Sequence, residues 1–327
     1  MTISRILVLG GTEFVGRAVV DEALARGHDV TVLNRGTRPA RDDVTTLVGD
    51  RTAPGGLEAL RDGDWDRVID TWSWAPRVVA ESAEFLSDRA DRYVYVSSRS
   101  VYAAARAGDD ESAALVRASA DDDVFDDYAR AKAGGELAAV AGFGDRTVLL
   151  RPGLIIGPHE NIGRLPWWLT RIARGGEVVA PGPADAGVQY IDARDLAVFA
   201  LEADVTGPVN TVGPRDETTM RDILQACVEA TGADASLHWF TPEQLAEAGA
   251  EPWTQLPLWL PPGGDYEALQ QGDVTLARGA GLSIRPLRQT VDDTWAWLRS
   301  IGGVAPQRTD RPVVGLPAQT EQRLLNT

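Results

Sequence analysis

A tyrosine and a lysine lie four positions apart in the segment Tyr128-Ala-Arg-Ala-Lys132. Residues at positions i and i+4 share one face of a helix, so the phenol and the ammonium would point the same way. There an ammonium can lower the pKa of a phenol and hydrogen-bond a cofactor ribose, as in enzymes that move a hydride. Of the 32 lysines and arginines in the chain, Lys132 is the only lysine. Since arginine cannot replace lysine without changing its chemistry, this favours a functional pair over a chance spacing on a solvated helix face.

A hydroxyl suited to the same chemistry follows the fifth predicted strand, in the segment Ser97-Ser-Arg-Ser-Val-Tyr102. The carboxyl end of a central strand is where doubly wound sheets bind ligands. We predict that Ser98 donates to a substrate oxygen while Tyr128 exchanges the proton with it. A free phenol has a pKa near about 10 and is a slow base at neutral pH, so Lys132 is expected to bias Tyr128 toward phenolate.

A glycine-rich segment, Gly10-Gly-Thr-Glu-Phe-Val-Gly16, follows the first predicted strand and opens the first predicted helix. In that context glycines let the backbone turn tightly and approach a pyrophosphate at the helix N-terminus. Glu13 stands where a Gly-x-x-Gly-x-x-Gly pattern has its middle glycine, and its carboxylate would repel pyrophosphate unless it points away or pairs with an arginine. Although a plain strand–turn–helix is the alternative, we predict a dinucleotide site that includes Gly10, Thr12, Glu13, Phe14, Val15 and Gly16.

The second predicted strand ends in Leu33-Asn-Arg-Gly36. An acidic residue here would bind the ribose 2′-hydroxyl and prefer NAD. Asn34 carries no charge that would repel a 2′-phosphate, and Arg35 and Arg38 offer forked donors that fit one. This predicts NADP(H) as the cofactor, with NAD(H) still possible. The further predicted cofactor contacts are Asp50, for the adenine amino group, and Arg51, Thr71, Trp72, Lys132 and Pro152.

Several polar and aromatic residues are candidates for contact with the substrate. Tryptophans are numerous, with ten in the chain, and some of them follow the predicted strands or lie in the less regular second half. For each tryptophan, and for a lone histidine, a purely structural role is an equally good interpretation. The predicted substrate residues are Trp74, Ser98, Arg99, His159, Asn161, Trp168 and Gln189.

The elements that position these residues follow from hydrophobic periodicity. Apolar β-branched runs predict strands over 6–9, 30–33, 44–48, 68–70, 93–96 and 147–150, and helices over 15–26, 76–86 and 128–140. This alternation predicts an α/β fold with a doubly wound parallel sheet of the Rossmann type.

After Arg151 proline and glycine become frequent, and the alternation is less regular. Helices are predicted over 165–172, 196–201, 220–230, 291–298 and 319–325, and short strands over 178–179, 188–191 and 237–240. We predict a dinucleotide-binding domain over 1–160 with a return segment over 187–212. A smaller, mixed substrate-binding segment covers 161–302, and a linker and tail cover 303–327.

Composition excludes some classes of function. The net charge of −16 makes nucleic acid and anionic membranes poor partners. Cys227 is the only cysteine, which excludes an intrachain disulfide, and no Cys/His cluster suggests zinc. The acidic stretch over 121–127 is predicted to be a solvated loop or helix cap, not a metal site. Since no long apolar run or secretory segment is found, we expect a cytoplasmic protein.

Five segments in order resemble the extended short-chain dehydrogenase/reductase family, in its NAD-dependent epimerase/dehydratase group. They are Gly-Gly-Thr-Glu-Phe-Val-Gly, Val-Ser-Ser-Arg-Ser-Val-Tyr, Tyr-Ala-Arg-Ala-Lys, Leu-Arg-Pro-Gly-Leu-Ile-Ile-Gly-Pro and Tyr-Ile-Asp-Ala-Arg-Asp-Leu-Ala. The resemblance runs from Ile3 to about Leu298 and is strongest to bacterial reductase-like members. It implies a catalytic triad of Ser98, Tyr128 and Lys132, a segment over 151–158 that passes the nicotinamide, and a homodimer.

Two departures from this resemblance concern the substrate. Nucleotide-sugar members commonly carry an arginine where this chain has Val188, and another before the stretch over 260–265, and both would clamp a diphosphate. Their absence favours a small non-nucleotide substrate whose carbonyl or alcohol is reduced or oxidised with NADP(H). The alternatives are a nucleotide-sugar epimerase or dehydratase, and a non-catalytic NADP-binding or RNA-binding relative.

Overall fold

The computed structural model describes residues 3–123, 126–263 and 267–326. The acidic stretch 121–127 and the stretch 260–265 lie partly outside these ranges. The strands are β1 (Arg5–Leu9), β2 (Asp29–Asn34), β3 (Thr45–Val48), β4 (Trp65–Asp70), β5 (Ala90–Val96), β6 (Thr147–Leu150), β7 (Leu154–Ile156), β8 (Gly176–Pro181), β9 (Tyr190–Asp192), β10 (Gly207–Val209) and β11 (Ala235–Phe240). The helices are α1 (Phe14–Ala25), α2 (Pro76–Leu86), α3 (Tyr128–Phe143), α4 (Arg164–Ala173), α5 (Ala193–Glu202), α6 (Met220–Thr231), α7 (Pro242–Glu247), α8 (Thr275–Gly279), α9 (Leu287–Ser300) and α10 (Ala318–Leu325).

A seven-stranded parallel sheet organises the fold, with strand order β10-β6-β5-β4-β1-β2-β3. The chain runs outward from β1 to β3, crosses back to β4 and continues outward to β6. The direction of winding therefore reverses between β1 and β4, and the carboxyl ends of these strands open a crevice of the kind that binds ligands. The doubly wound sheet predicted from periodicity is confirmed.

Helices cover both faces of this sheet. Helices α1 and α5 pack together on one face, and α2 and α3 pack together on the other. Ile6, Leu7, Val8 and Leu9 of β1 are all buried, because side chains pointing to either face meet a helix layer. This explains the continuous apolar runs by which the strands were predicted.

The second half of the chain builds a separate hydrophobic cluster from α4, α6, α9 and the parallel pair β8–β11. Helix α10 also joins this cluster, where it packs against β8. Between these elements β10 pairs with β6 at the edge of the central sheet, and α5 packs on α1. The elements that sequence periodicity missed are β7, β10, α7 and α8, which are too short to show a period of their own.

A buried ion pair occupies the carboxyl end of β4. The Arg51 guanidinium donates two hydrogen bonds of 2.7 Å to the Asp70 carboxylate, which also accepts from the Tyr93 hydroxyl at 2.6 Å and the Trp72 amide at 2.9 Å. Burial alone would raise the pKa of Asp70, but the Arg51 charge and these hydrogen bonds hold it below its usual value. Arg51, predicted from the sequence to bind the cofactor, is instead committed to this structural pair.

We expect Asp70→Ala to lower the free energy of unfolding by about 3–5 kcal/mol, because it leaves the Arg51 charge buried without a partner. Chemical denaturation measures this loss. Glu58→Ala, which removes the exposed pair with Arg61, is the matched control and should leave the unfolding midpoint unchanged. Equal midpoints for the two variants would contradict the assignment of Asp70.

Candidate active site

A cavity of about 570 Å³ opens where β1, β4 and β5 end and where α1 and α3 begin. We call it the main cavity. It brings together many residues that were predicted from separate parts of the sequence. These are Glu13, Phe14, Val15, Gly16, Thr71, Ser98, Arg99, Tyr128, Lys132, Pro152 and Asn161.

Tyr128 is the first residue of α3. The helix begins there because the Asp127 carboxylate caps it, accepting from the Arg130 amide at 3.0 Å. The Tyr128 ring and the Ser98 hydroxyl both line the main cavity, and Ser98 is close enough to lower the pKa of Tyr128. Ser98 is itself held in place, since its Oγ accepts from the Ser100 amide at 3.1 Å. The two predicted hydroxyl groups therefore share one cavity.

The electrostatic environment of Tyr128 differs from the one predicted. Burial raises the pKa of Tyr128, while the nearby Ser98 hydroxyl and the charges of Arg311, Arg164 and Arg308 lower it. Three arginines thus lower the pKa of Tyr128, an effect that the sequence analysis assigned to Lys132. Two of them belong to the segment predicted as a linker.

Lys132 lies one turn after Tyr128 on α3 and is buried. Its Nζ donates to the carbonyl oxygens of Trp72, at 2.5 Å, and Val96, at 2.6 Å. An ammonium has three N–H donors, so one is left for the cavity. Burial lowers the pKa of Lys132 to about 7, against the opposing charges of Asp70 and Glu136. Trp72, a predicted cofactor residue, contributes here through its backbone.

A third charged residue, Glu136, lies one further turn along the same face of α3 and is also buried. Its carboxylate accepts from Ser97 Oγ at 2.6 Å and from two nitrogens of Arg151, at 2.9 and 2.7 Å. These contacts tie α3 to the ends of β5 and β6. Sequence analysis missed Glu136, although its four-residue spacing from Lys132 was the signal that could have found it.

The loop between β1 and α1 fits a dinucleotide. A Cβ on Gly16 would lie 2.7 Å from the Gly11 nitrogen, so only glycine lets α1 start this close to the loop. No side chain caps α1, whose first N–H groups are therefore available to an anion at the cavity wall. These features match the anionic pyrophosphate of such a cofactor.

Glu13 causes no strain in this loop, because its φ of −133° is open to any residue. Its carboxylate forms an ion pair with Arg38 and accepts from Asn161 Nδ2 at 2.8 Å. The pairing with an arginine that the sequence required is present. Asn161, predicted to touch substrate, lies at the cavity wall but is engaged with Glu13.

The end of β2 carries no carboxylate. The Asn34 side chain instead accepts from the Gly36 amide at 2.8 Å and shapes the turn, and Arg35 is exposed beside it. Asp50 accepts from the amide and hydroxyl of Thr52, at 3.0 and 2.7 Å. The structure keeps these predicted residues near the second strand but outside the wall of the main cavity.

Four predicted substrate residues do not line the main cavity. Trp168 lies in the hydrophobic core and donates to the Pro257 carbonyl at 2.8 Å. Gln189 is buried and its side chain bridges backbone groups, including the amide and carbonyl of Gly272. His159 packs against Trp297, and burial lowers its pKa to about 4. Trp74 reaches the cavity only through Arg311, whose guanidinium lies 4.9 Å from its ring centroid.

The segment over 303–317, which we call the strap, was predicted as part of a linker because it is rich in proline and glycine. In the structure it crosses the main cavity and lines it with Arg308, Arg311, Pro312 and Val314. Within the described ranges, no group of three or more His, Cys, Asp or Glu side chains could hold a metal ion. No helix in those ranges is long and apolar enough to cross a membrane.

Because Lys132 is the only lysine, lysine labelled with ¹³C at Cε gives one resonance in the folded protein. We expect that resonance to titrate with a midpoint of about 7, because burial removes the water that stabilises an ammonium. The same signal in denaturant should titrate near about 10.4. A folded-state midpoint close to the denatured one would contradict the buried environment.

The same shift has a consequence for stability. Between the two midpoints the unfolded chain carries a proton on Lys132 that the folded chain has released. The free energy of unfolding should therefore rise with pH over this window, relative to Lys132→Met, by up to about 1.4 kcal/mol per pH unit.

Comparison with known proteins agrees with this architecture. The sequence profile of the NAD dependent epimerase/dehydratase family matches residues 6–213. Epimerase family protein SDR39U1 of Bos taurus is 28% identical, over 71% of this chain and 82% of that protein. The Bordetella bronchiseptica enzyme WbmH, solved in complex with NAD+, superposes with a TM-score of 0.68 at 16% identity, over 93% of this chain and all of that chain. The enzyme WbmG of the same bacterium, solved with NAD and UDP, superposes with a TM-score of 0.66 at 17% identity, over 97% and 100%. Since the profile spans more than half of the chain, from β1 to the return into the central sheet, the chain belongs to the NAD dependent epimerase/dehydratase family.

Proposed function

We propose that this protein is an NAD(P)-dependent oxidoreductase that interconverts a carbonyl and an alcohol on a small molecule, with NADP(H) as its preferred cofactor. One observation carries the proposal. Tyr128 and Ser98 line one cavity together with Lys132 and the start of α1. A proton-transfer group and a dinucleotide cradle therefore share one enclosed space.

Ser98 and Tyr128 have different roles toward the substrate oxygen. Ser98 Oγ accepts from the Ser100 amide, and its own hydrogen would turn to that oxygen when a substrate is bound. Tyr128 gives its proton to the oxygen during reduction and takes it back during oxidation. The nicotinamide, when bound, supplies or accepts the hydride. Glu13, Phe14, Val15 and Gly16 would hold the pyrophosphate end of the cofactor.

The charge left on Tyr128 after it donates its proton needs stabilisation, because burial opposes a phenolate. Arg311, Arg164 and Arg308 face the phenol and favour its charged form. Lys132 retains one N–H donor on the same side of α3, where it would hold the ribose next to the nicotinamide. This arrangement lets a tyrosine with a raised pKa act at neutral pH.

The preference for NADP(H) rests on the end of β2. An acidic residue there would repel a 2′-phosphate, whereas Asn34 is neutral and Arg35 is exposed and forms no ion pair among the described residues. Arg38, the second predicted partner, is engaged by Glu13. Arg35 is therefore the main candidate for the phosphate contact.

Epimerisation or dehydration of a nucleotide sugar is the second candidate function. The sequence lacked the two arginines expected to clamp a diphosphate, but the structure supplies others, including Arg99, Arg164 and Arg308, along the cavity wall. The solved structure of WbmG contains NAD and UDP. This second function leaves the cofactor unchanged after each turnover, whereas the oxidoreductase consumes one NADPH for each carbonyl reduced.

We expect Tyr128→Phe to reduce turnover by roughly 10²- to 10⁴-fold, because the phenylalanine has no proton to exchange. The oxidation of NADPH, followed with a panel of carbonyl compounds, measures this loss. The dissociation constant for NADPH should stay unchanged, which separates lost chemistry from lost binding. Full turnover in the variant would place the proton donor elsewhere.

We expect Arg35→Ala to weaken NADP(H) roughly 10- to 100-fold while leaving NAD(H) nearly unaffected, because a charge-assisted hydrogen bond to the 2′-phosphate is lost. Isothermal titration with both cofactors measures the difference. Arg61→Ala, on the exposed surface, is the matched control. Tighter binding of NAD(H) than NADP(H) by the unaltered protein would refute the preference.

A further inference from the structure

Arginines gather on the substrate side of Tyr128. Arg99, Arg164 and Arg311 all line the main cavity, and none of them forms an ion pair within the described residues. Arg308, also at the cavity wall, pairs with Asp310. In a chain with a net charge of −16, three arginines without a carboxylate partner in one cavity call for an explanation.

Arg311 lies against the proton-exchanging residue itself. Its guanidinium carbon is 5.2 Å from the ring centroid of Tyr128 and 4.9 Å from that of Trp74. Its Nε is buried and has no hydrogen-bond partner among the groups that the structure describes. A guanidinium held between two aromatic rings keeps its N–H edge free for a planar anion.

The strap holds Arg311 in this position. The side-chain amide of Gln307 bonds both the amide and the carbonyl of Val314, each at 3.1 Å, and so closes the loop that carries Arg311. The Gly315 amide then donates to the Thr254 carbonyl at 2.9 Å. A Cβ on Gly315 would lie 2.0 Å from Trp167 Nε1, so a glycine is required where the strap meets α4.

The strap is also anchored beyond this loop. Leu316 of the strap and Leu324 of α10 belong to the hydrophobic cluster of the second half of the chain. Glu321 of α10 forms an ion pair with the buried Arg171 of α4, at 2.7 Å. The loop therefore has a fixed base, and Arg311 is presented to the cavity by ordered structure.

Arg164, at the start of α4, is the second member of the group. Its guanidinium carbon lies 5.4 Å from the ring centroid of Trp253 at the cavity wall. Burial and the Arg311 charge lower the pKa of Arg164, while the charges of Glu160 and Tyr128 raise it. Two guanidinium groups that repel each other in a partly desolvated cavity are stabilised when an anion binds between them.

Arg99 gives an independent sign of the same kind. It is 2% exposed and follows Ser98 directly, yet its Nε and Nη1 have no hydrogen-bond partner within the described ranges. Unsatisfied buried donors are rare in proteins and need a partner that the protein itself does not supply. Arg99 therefore brings an unsatisfied guanidinium to the cavity wall, beside Gly272 and the Tyr102 ring.

We propose that Arg164 and Arg311 form an oxyanion-binding subsite, with Arg99 as a third cation in the same cavity, for a negatively charged group on the substrate. The group is a carboxylate or a phosphate held beside the carbon on which Tyr128 acts. The inference rests on the proposed function and narrows its substrate class to acids. The cofactor pyrophosphate has its own cradle at α1, where Glu13 is already neutralised by Arg38.

The test uses the full chain saturated with NADP+ and three probes, malonate, inorganic phosphate and UDP, measured by isothermal titration. We expect at least one probe to bind beside the cofactor, and Arg311→Gln and Arg164→Gln each to weaken it about tenfold or more. Arg299→Gln on the exposed face of α9 is the matched control and should bind the probe as the unaltered protein does. Arg311→Lys, which keeps the charge without the fork, should recover only part of the affinity.

The pattern of probes identifies the source of the anion, since malonate reports a carboxylate, phosphate a phosphomonoester and UDP a diphosphate. Binding that is insensitive to Arg311→Gln and Arg164→Gln, competition between probe and NADP+, or no binding of any probe would each overturn the subsite. Tyr128→Phe keeps the aromatic ring and should still bind the probe. Failure of the proposed chemistry in that variant is thus distinguishable from failure of the subsite.

Discussion

The buried ion pair between Glu136 and Arg151 is the interaction on which the site depends. It joins α3 to the end of β6, while Ser97 adds a hydrogen bond from the end of β5. Tyr128 and Lys132 occupy the two preceding turns of the same helix face. Their positions relative to Ser98 therefore follow from a contact that touches neither substrate nor cofactor. Removing one partner of a buried pair leaves the other charge without compensation, which ties the geometry of the site to the stability of the fold.

The charge of the whole chain and the charge of its cavity have opposite signs. A net charge of −16 governs the outer surface and disfavours polyanions such as nucleic acid. Arg99, Arg164, Arg308 and Arg311 all line the cavity, and the last three act on the Tyr128 phenol. Interactions at short range in a desolvated space outweigh distant surface charges that salt screens. An acidic protein can thus contain a cavity whose local charge is positive.

The fold and the residues near Tyr128 were predictable for the same reason. Parallel strands bring their carboxyl ends to one edge, so Ser98 after β5 and the glycine loop after β1 had to meet there. The strap was not predictable, because its place depends on contacts between residues far apart in the chain, such as Gly315 with Thr254. Trp168 and Gln189 were predicted to contact the substrate but are buried away from the main cavity. Nothing in a tryptophan or a glutamine distinguishes a core position from a cavity wall until the packing is known.

The strap has its base in the hydrophobic cluster of the second half of the chain, and its tip lies against Tyr128. Leu316 and Leu324 rest among the side chains of α4 and α6, whereas Arg311 touches Tyr128, whose helix packs on the central sheet. Because the strap is anchored to the second half of the chain, Arg311 would move together with that half. Any change in the angle between the two halves of the molecule moves the guanidinium relative to the phenol. The angle between the two halves would then also influence the pKa of Tyr128, because the Arg311 charge lowers it.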